Sequence, residues 1–161
     1  MFIKVNDKIP NAEVYRLING EPEKINISEL LKNKKSILIG LPGAFTSVCS
    51  EKHLPGYLNN FEKFKLKGVD QIICIAVNDP FVMDAWGKIN KVDKKIIMLG
   101  DPFLNFTLAI GAEVDKTSRG LGARSNRFTM LINDMTVLNL QEETETGICE
   151  VSSAENFLKI I

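Results

Sequence analysis

Leu41-Pro42-Gly43-Ala44-Phe45-Thr46-Ser47-Val48-Cys49-Ser50 follows a short apolar run at 37–41 and precedes an amphipathic segment. That order predicts a strand that runs into a loop and then into the start of a helix, with Cys49 in the first helical turn. A free cysteine has a pKa near ~8.5, so little of it is thiolate at neutral pH, whereas the unpaired N–H groups and positive dipole end of a helix favour the anion. Cys49 is therefore placed to be a nucleophile. The competing reading is a small buried apolar side chain, the commonest fate of a free cysteine.

The residues that follow support the helix. Ser47 is a candidate N-cap, and Leu54, Leu58 and Phe61 recur at helical spacing on one side. Pro55 predicts a kink inside it. His53 lies four residues after Cys49, and helical side chains lean back toward the N-terminus, so its imidazole either reaches the thiol or packs beside it.

At this point the residues resemble a known family. The spacing Pro42-x3-Thr46-x2-Cys49 is similar to the peroxiredoxin active-site signature, and the string PGAFT…CS…HLPG resembles its Prx5 or type II branch. The similarity continues through Val77-Asn78-Asp79-Pro80-Phe81-Val82 with Trp86-Gly87, through Arg127-Phe128 ahead of an apolar strand, and into Val151-Ser152-Ser153-Ala154-Glu155. It covers nearly the whole chain, and chance rarely orders four motifs at compatible distances. Ser47-Val48 departs from the Pro and Thr or Gly usual in the branch, which touches the packing of the loop and leaves the three signature residues intact.

The resemblance implies a thiol peroxidase that reduces hydrogen peroxide and small alkyl hydroperoxides through a sulfenic acid at Cys49, with no metal, haem or flavin cofactor. It implies that Thr46 hydrogen-bonds the thiolate and a peroxide oxygen, and that Pro42 shields the sulfur from water. Gly43, Val48 and His53 are expected at the substrate-binding surface. In isolation Thr46 is a loop hydroxyl, Pro42 a strand terminator and Arg127 a solvated charge at a strand end. The resemblance puts the Arg127 guanidinium over the sulfur, where a permanent cation stabilises the thiolate and the charge on the leaving oxygen. Arg124 competes for that role, but Arg127 directly precedes the strand.

Two further cysteines are candidate resolving residues. Cys74 sits among Ile72, Ile73, Ile75 and Val77, which favours burial as a small hydrophobe, although its separation from Cys49 matches the second cysteine of plant-like type II members. Cys149 falls near the resolving cysteine of atypical two-cysteine members. Anchored on Ser153-Ala154, however, that residue coincides with Val151. A one-cysteine cycle is therefore expected, with an external reductant: glutaredoxin with glutathione first, thioredoxin second. The family also implies a homodimer formed through loops near the site, with Trp86 and Phe45 as core or interface aromatics.

Composition narrows the field. The 161 residues, 45% hydrophobic, suffice for one domain over 1–161 that buries roughly two thirds of its unfolded surface. Twenty acidic and twenty basic residues give no pull toward nucleic acid or an anionic membrane surface. No apolar run approaches a membrane span, and residues 1–5 lead directly into patterned sequence without a signal-like segment, which points to the cytoplasm, or to an organelle had a presequence been removed. Cysteines at 49, 74 and 149 make no CxxC pair, and one histidine makes a zinc site improbable. A thiol-disulfide oxidoreductase would need that pair. A Cys–His hydrolase would need an orienting carboxylate, and a silent binding module predicts no peroxide turnover.

In chain order, Asn19-Gly20 predicts an N-terminal hairpin or extended arm. Ser28 is expected to cap a short helix at 29–32 before the strand at 36–41. A both-faces-buried strand is expected at 71–77, and Asp79-Pro80 opens a helix to about residue 90. A strand at 95–99 precedes a helix at 103–110 that starts from Asp101-Pro102 and stops at Gly111. Residues 119–126 read as a polar connection, and 127–132 with 136–140 as an antiparallel hairpin. Ser152 and Glu155 form a capping box for the last helix. The sum is an α/β chain, a central mixed sheet flanked by helices with an N-terminal hairpin extension, and the resemblance implies the thioredoxin-like fold.

Overall fold

The computed structural model describes residues 1–161. Asn19 and Gly20 take φ of 52° and 84°, the left-handed pair whose twist suits a two-residue hairpin loop. They join β1 (Glu13–Ile18) to β2 (Glu21–Asn26), with Ile18 opposite Glu21. The chain then runs α1 (Ile27–Leu31), β3 (Lys35–Leu41), a π-helical turn (Cys49–His53), α2 (Leu54–Asn59), α3 (Phe61–Leu66), β4 (Gln71–Ala76) and α4 (Pro80–Ile89). It continues through β5 (Ile96–Gly100), α5 (Asn105–Ala109), β6 (Glu113–Asp115), β7 (Ala123–Ser125), β8 (Phe128–Asn133), β9 (Thr136–Glu142) and α6 (Ala154–Leu158).

The main sheet has the order β2-β1-β5-β4-β3-β8-β9. Its centre, β3, β4 and β5, is parallel; β1 and β8 pair antiparallel on either side. Alternation along the central strands divides the core in two. Ile37, Ile39 and Leu41 of β3, with Ile72 and Cys74 of β4, pack under α2, α3, α4 and α6, where Tyr57, Phe64, Trp86 and Phe157 lie. Leu38, Ile73 and Ile75 face the other way, toward Ile27 of α1, Phe106 of α5 and the inward residues of β8. The mixed sheet with helices on both faces and a hairpin at one edge agrees with the expected architecture.

Several local expectations are corrected. Asn26 rather than Ser28 caps α1, accepting from the Ser28 N–H at 3.1 Å. The helix expected at 103–110 begins at Asn105, because Leu104 is left-handed at φ 57° and the Asp101 carboxylate reaches forward to the N–H groups of Phe106 and Thr107. The polar stretch 119–126 contains β7, which pairs with β6 in a small separate ribbon. Ser153, not Ser152, caps α6 through the Asn156 N–H, because Ser152 is drawn to Glu143. Asp79 does cap α4, accepting from Val82 N–H at 2.9 Å.

Gly40 in β3 lies against the ring of Phe128, the residue after Arg127, and a Cβ there would overlap that ring. Gly40→Ala is therefore expected to lower stability by about 1–3 kcal/mol through overpacking, measured as a fall in the urea midpoint with the slope unchanged.

Candidate active site

The loop after β3 is fastened before it delivers Cys49. The Ala44 N–H donates to Asn78 Oδ1 at 2.9 Å, and the Thr46 hydroxyl donates to the Gly43 carbonyl at 2.8 Å. Phe45, exposed, takes a left-handed φ of 63°. The Ser50 N–H bonds the Thr46 carbonyl, so Thr46 stands at the helix start and Ser47 is not the cap expected there; no side chain caps this turn. Cys49 opens the π-helical turn, whose wide register is closed by the Leu54 N–H on the Cys49 carbonyl. Pro55, which lacks an N–H, then falls in the first turn of α2, so the predicted irregularity is a π turn ahead of the proline.

Arg127 reaches this sulfur from just ahead of β8. Its Nη2 lies 3.2 Å from Cys49 Sγ, and Nη2 and Nε also donate to the Thr146 carbonyl at 2.9 and 3.3 Å. Nη1 lies 3.1 Å from His53 Nδ1. A guanidinium only donates, so Nδ1 must accept, which puts the imidazole proton on Nε2, facing the Ser152 carbonyl at 3.2 Å. A fixed cation at hydrogen-bond distance stabilises negative charge on sulfur. Arg124 does not compete: its guanidinium is spent on the carbonyls of Leu121 and Pro42.

His53 is wholly buried and does not meet the thiol directly, as one sequence alternative had it; it packs and orients Arg127. Burial first, and the Arg127 cation second, lower its pKa from 6.5 to about 3, against the opposing hydrogen bond to Ser152. The unfolded chain therefore takes up a proton below pH 6.5 that the folded chain refuses until about pH 3. Stability is full above that window and falls as pH drops through it, by up to about 1.4 kcal/mol per unit and roughly 2 kcal/mol by pH 5. Urea midpoints at pH 7 and 5 are expected to show this loss, and His53→Gln, which keeps one acceptor and one donor, to lessen it.

A cavity of about 400 Å³ opens beside the sulfur, with Pro42, Thr46, Val48, Arg127, Asn126 and Thr146 among its walls. Of the three expected substrate-binding residues only Val48 lines it. Gly43 lies behind the wall as the acceptor for Thr46, and His53 lies in the core. Cys49 itself is fully buried and off the cavity wall, because its small apolar body packs into the core with Leu41, Ala44 and Leu54. Cys74 is also fully buried, at mid-strand opposite Ile39 and Met98, and burial pushes its thiol well up. Cys149 is half-buried on the loop after β9, and burial raises its thiol too, with Arg127 opposing. Trp86 is core: its Nε1–H donates to Ser50 Oγ at 3.0 Å.

The site has members that the sequence did not announce. Tyr57 Oη lies 2.9 Å from Thr129 Oγ1 and 2.8 Å from the Ser152 carbonyl, one helical turn beyond His53, and its hydroxyl is pushed well up by burial. The spacing of Cys49, His53 and Tyr57 at four-residue intervals was a readable sign of this shared face. Glu143, Thr146 and Ser152 carried no such sign.

Comparison with known proteins settles the family. The redoxin family model matches residues 4–158. Peroxiredoxin-2B of Arabidopsis thaliana is 41% identical over 160 residues, 99% of this chain and 98% of its own length. This chain belongs to the peroxiredoxins, in their Prx5 or type II branch. The solved structure of reduced Prx3 in complex with hydrogen peroxide from Vibrio vulnificus superposes on it with a TM-score of 0.93 at 40% identity, covering 98% of each chain. The Plasmodium falciparum antioxidant protein, a 1-Cys peroxiredoxin, gives 0.91 at 34% identity, covering 99% of this chain and all of its own. The peroxiredoxin thus has the thioredoxin-like fold that its motifs implied, and thiol-based peroxide reduction is the activity of its family.

Proposed function

We propose that this peroxiredoxin reduces hydrogen peroxide and small alkyl hydroperoxides with Cys49 as the attacking sulfur. The thiolate displaces at the terminal oxygen, the oxygen–oxygen bond breaks, and the products are a Cys49 sulfenic acid and an alkoxide or hydroxide that takes a proton from solvent. The observation that carries this reading is Arg127 Nη2 at 3.2 Å from Cys49 Sγ, on the wall of the adjoining cavity. From there one cation serves both the sulfur and the departing oxygen. The Thr46 hydroxyl, whose proton is engaged by Gly43, offers its oxygen as an acceptor for the peroxide proton. Pro42, buried beside it on the cavity wall, excludes water from the sulfur. The sulfur itself lies off the wall of that cavity, and Arg127, which lines it, bridges the two.

The same reading gives a one-cysteine cycle. Cys74 is sealed within β4, and the raised Cys149 thiol is a weak nucleophile at neutral pH. An external thiol then condenses with the sulfenic acid, releasing water, and a second thiol displaces it as a disulfide. Glutaredoxin with glutathione is the first reductant to try and thioredoxin the second. Residues 1–161 act as one domain, and the protein works as a homodimer through loops near the site, among them the one that bears the exposed Phe45. Three free cysteines suit a reducing compartment, the cytoplasm. Trp86, the only tryptophan, touches the residue after Cys49, so its fluorescence reports the chemistry. Stopped-flow mixing with hydrogen peroxide should give a concentration-dependent change in that signal; a flat trace, with the thiol titre unchanged, would end the proposal.

A further inference from the structure

Glu143 is 4% exposed, directly after β9, and no ion pair of the chain involves it. A buried carboxylate without a cation is costly unless its oxygens are well bonded. Here Oε1 takes three donors: the Glu150 N–H at 2.6 Å, the Ser152 N–H at 2.9 Å and the Ser152 hydroxyl at 2.8 Å. Its own N–H donates to the Arg127 carbonyl at 2.9 Å. The backbone of Glu143 thus holds the backbone of Arg127, and its side chain draws in the far end of residues 144–152.

That loop supplies the acceptors that aim the site. The Thr146 carbonyl receives Arg127 Nε and Nη2, and the Ser152 carbonyl faces His53 Nε2, whose other nitrogen receives Arg127 Nη1. Without those acceptors the guanidinium would keep only Cys49 Sγ and a His53 ring that has lost its Ser152 anchor, and it would be free to swing. We propose that Glu143 is a positioning residue of the peroxide site: its buried carboxylate clamps residues 144–152 so that Thr146 and Ser152 fix Arg127 against Cys49. This rests on the roles given above to Cys49 and Arg127.

Glu143→Gln keeps the shape, removes the charge and weakens the charge-assisted bonds. Two readings are taken, one independent of peroxide chemistry. In the wild type the Arg127 Nε–H should exchange slowly with solvent by NMR, and Glu143→Gln should speed that exchange at least tenfold. The rate of Cys49 oxidation by hydrogen peroxide should fall about tenfold, the size expected for weakening bonds to a charged group. In an Arg127→Lys background the same change should cost less than about twofold, since coupled residues are not additive. Ser152→Ala, which deletes one donor of three, should act in the same direction and less, and keeps the test open if Glu143→Gln unfolds. Equal effects in both backgrounds, or an unchanged Arg127 exchange rate, overturn the proposal. If peroxide does not oxidise Cys49 but the exchange rate moves as expected, the clamp stands and the peroxidase reading falls.

Discussion

Arg127→Gln is expected to slow oxidation of Cys49 by hydrogen peroxide by about 100- to 1000-fold, the usual loss when one preorganised donor to a developing charge is removed. The substitution acts twice on the reaction. On the proposed mechanism it removes both the cation 3.2 Å from Sγ and the donor to the departing oxygen. Arg127→Lys keeps the charge but not the fork that reaches Sγ, His53 Nδ1 and the Thr146 carbonyl together, so an intermediate loss is expected. Stopped-flow rates at several peroxide concentrations decide it. A fall under threefold for Arg127→Gln, with the fold intact by circular dichroism, would mean that the guanidinium only fills space.

Cys49→Ser is expected to abolish peroxide turnover, because a serine hydroxyl at neutral pH neither ionises nor accepts the transferred oxygen. The informative contrast is with the other thiols. Cys74→Ser and Cys149→Ser should each retain turnover within about threefold when recycled by glutaredoxin with glutathione, since neither group presents a thiolate and Cys74 is closed inside the sheet. Loss of turnover in Cys149→Ser alone would turn the cycle into a two-cysteine one. Cys74→Ser also places a hydroxyl in an apolar core, so its stability is measured in parallel.

The sequence carried the parts of this molecule that short-range chemistry decides. Asn19-Gly20 specified a hairpin because only left-handed residues close that loop, and Asp79-Pro80 specified a helix start because cap and proline act within one turn. The pairing of Cys49 with Arg127, 78 residues apart, was legible only through the family motif; nothing local in an arginine before a strand says which sulfur it will meet. Long-range claims on side chains defeated the local reading elsewhere. Ser152 looks like a cap until Glu143 takes it, and Asp101 bonds N–H groups five and six residues on, where a cap bonds those two or three on. His53 was legible as facing Cys49 along the helix, but its partner, Arg127, arrives from just ahead of β8. Glu143 sat unremarked among acidic neighbours, since burial, the property that sets it apart, is fixed by the fold.

The central claim is that the buried Cys49 sulfur, held beside Arg127, accepts an oxygen atom from a hydroperoxide. Intact and peptide mass spectrometry after one equivalent of hydrogen peroxide, with a sulfenic-acid trap present, tests it most directly. One trap adduct per chain, confined to the peptide containing Cys49 and much reduced in Arg127→Gln, is the expected result; an unmodified Cys49, or an adduct formed equally fast without Arg127, would contradict it.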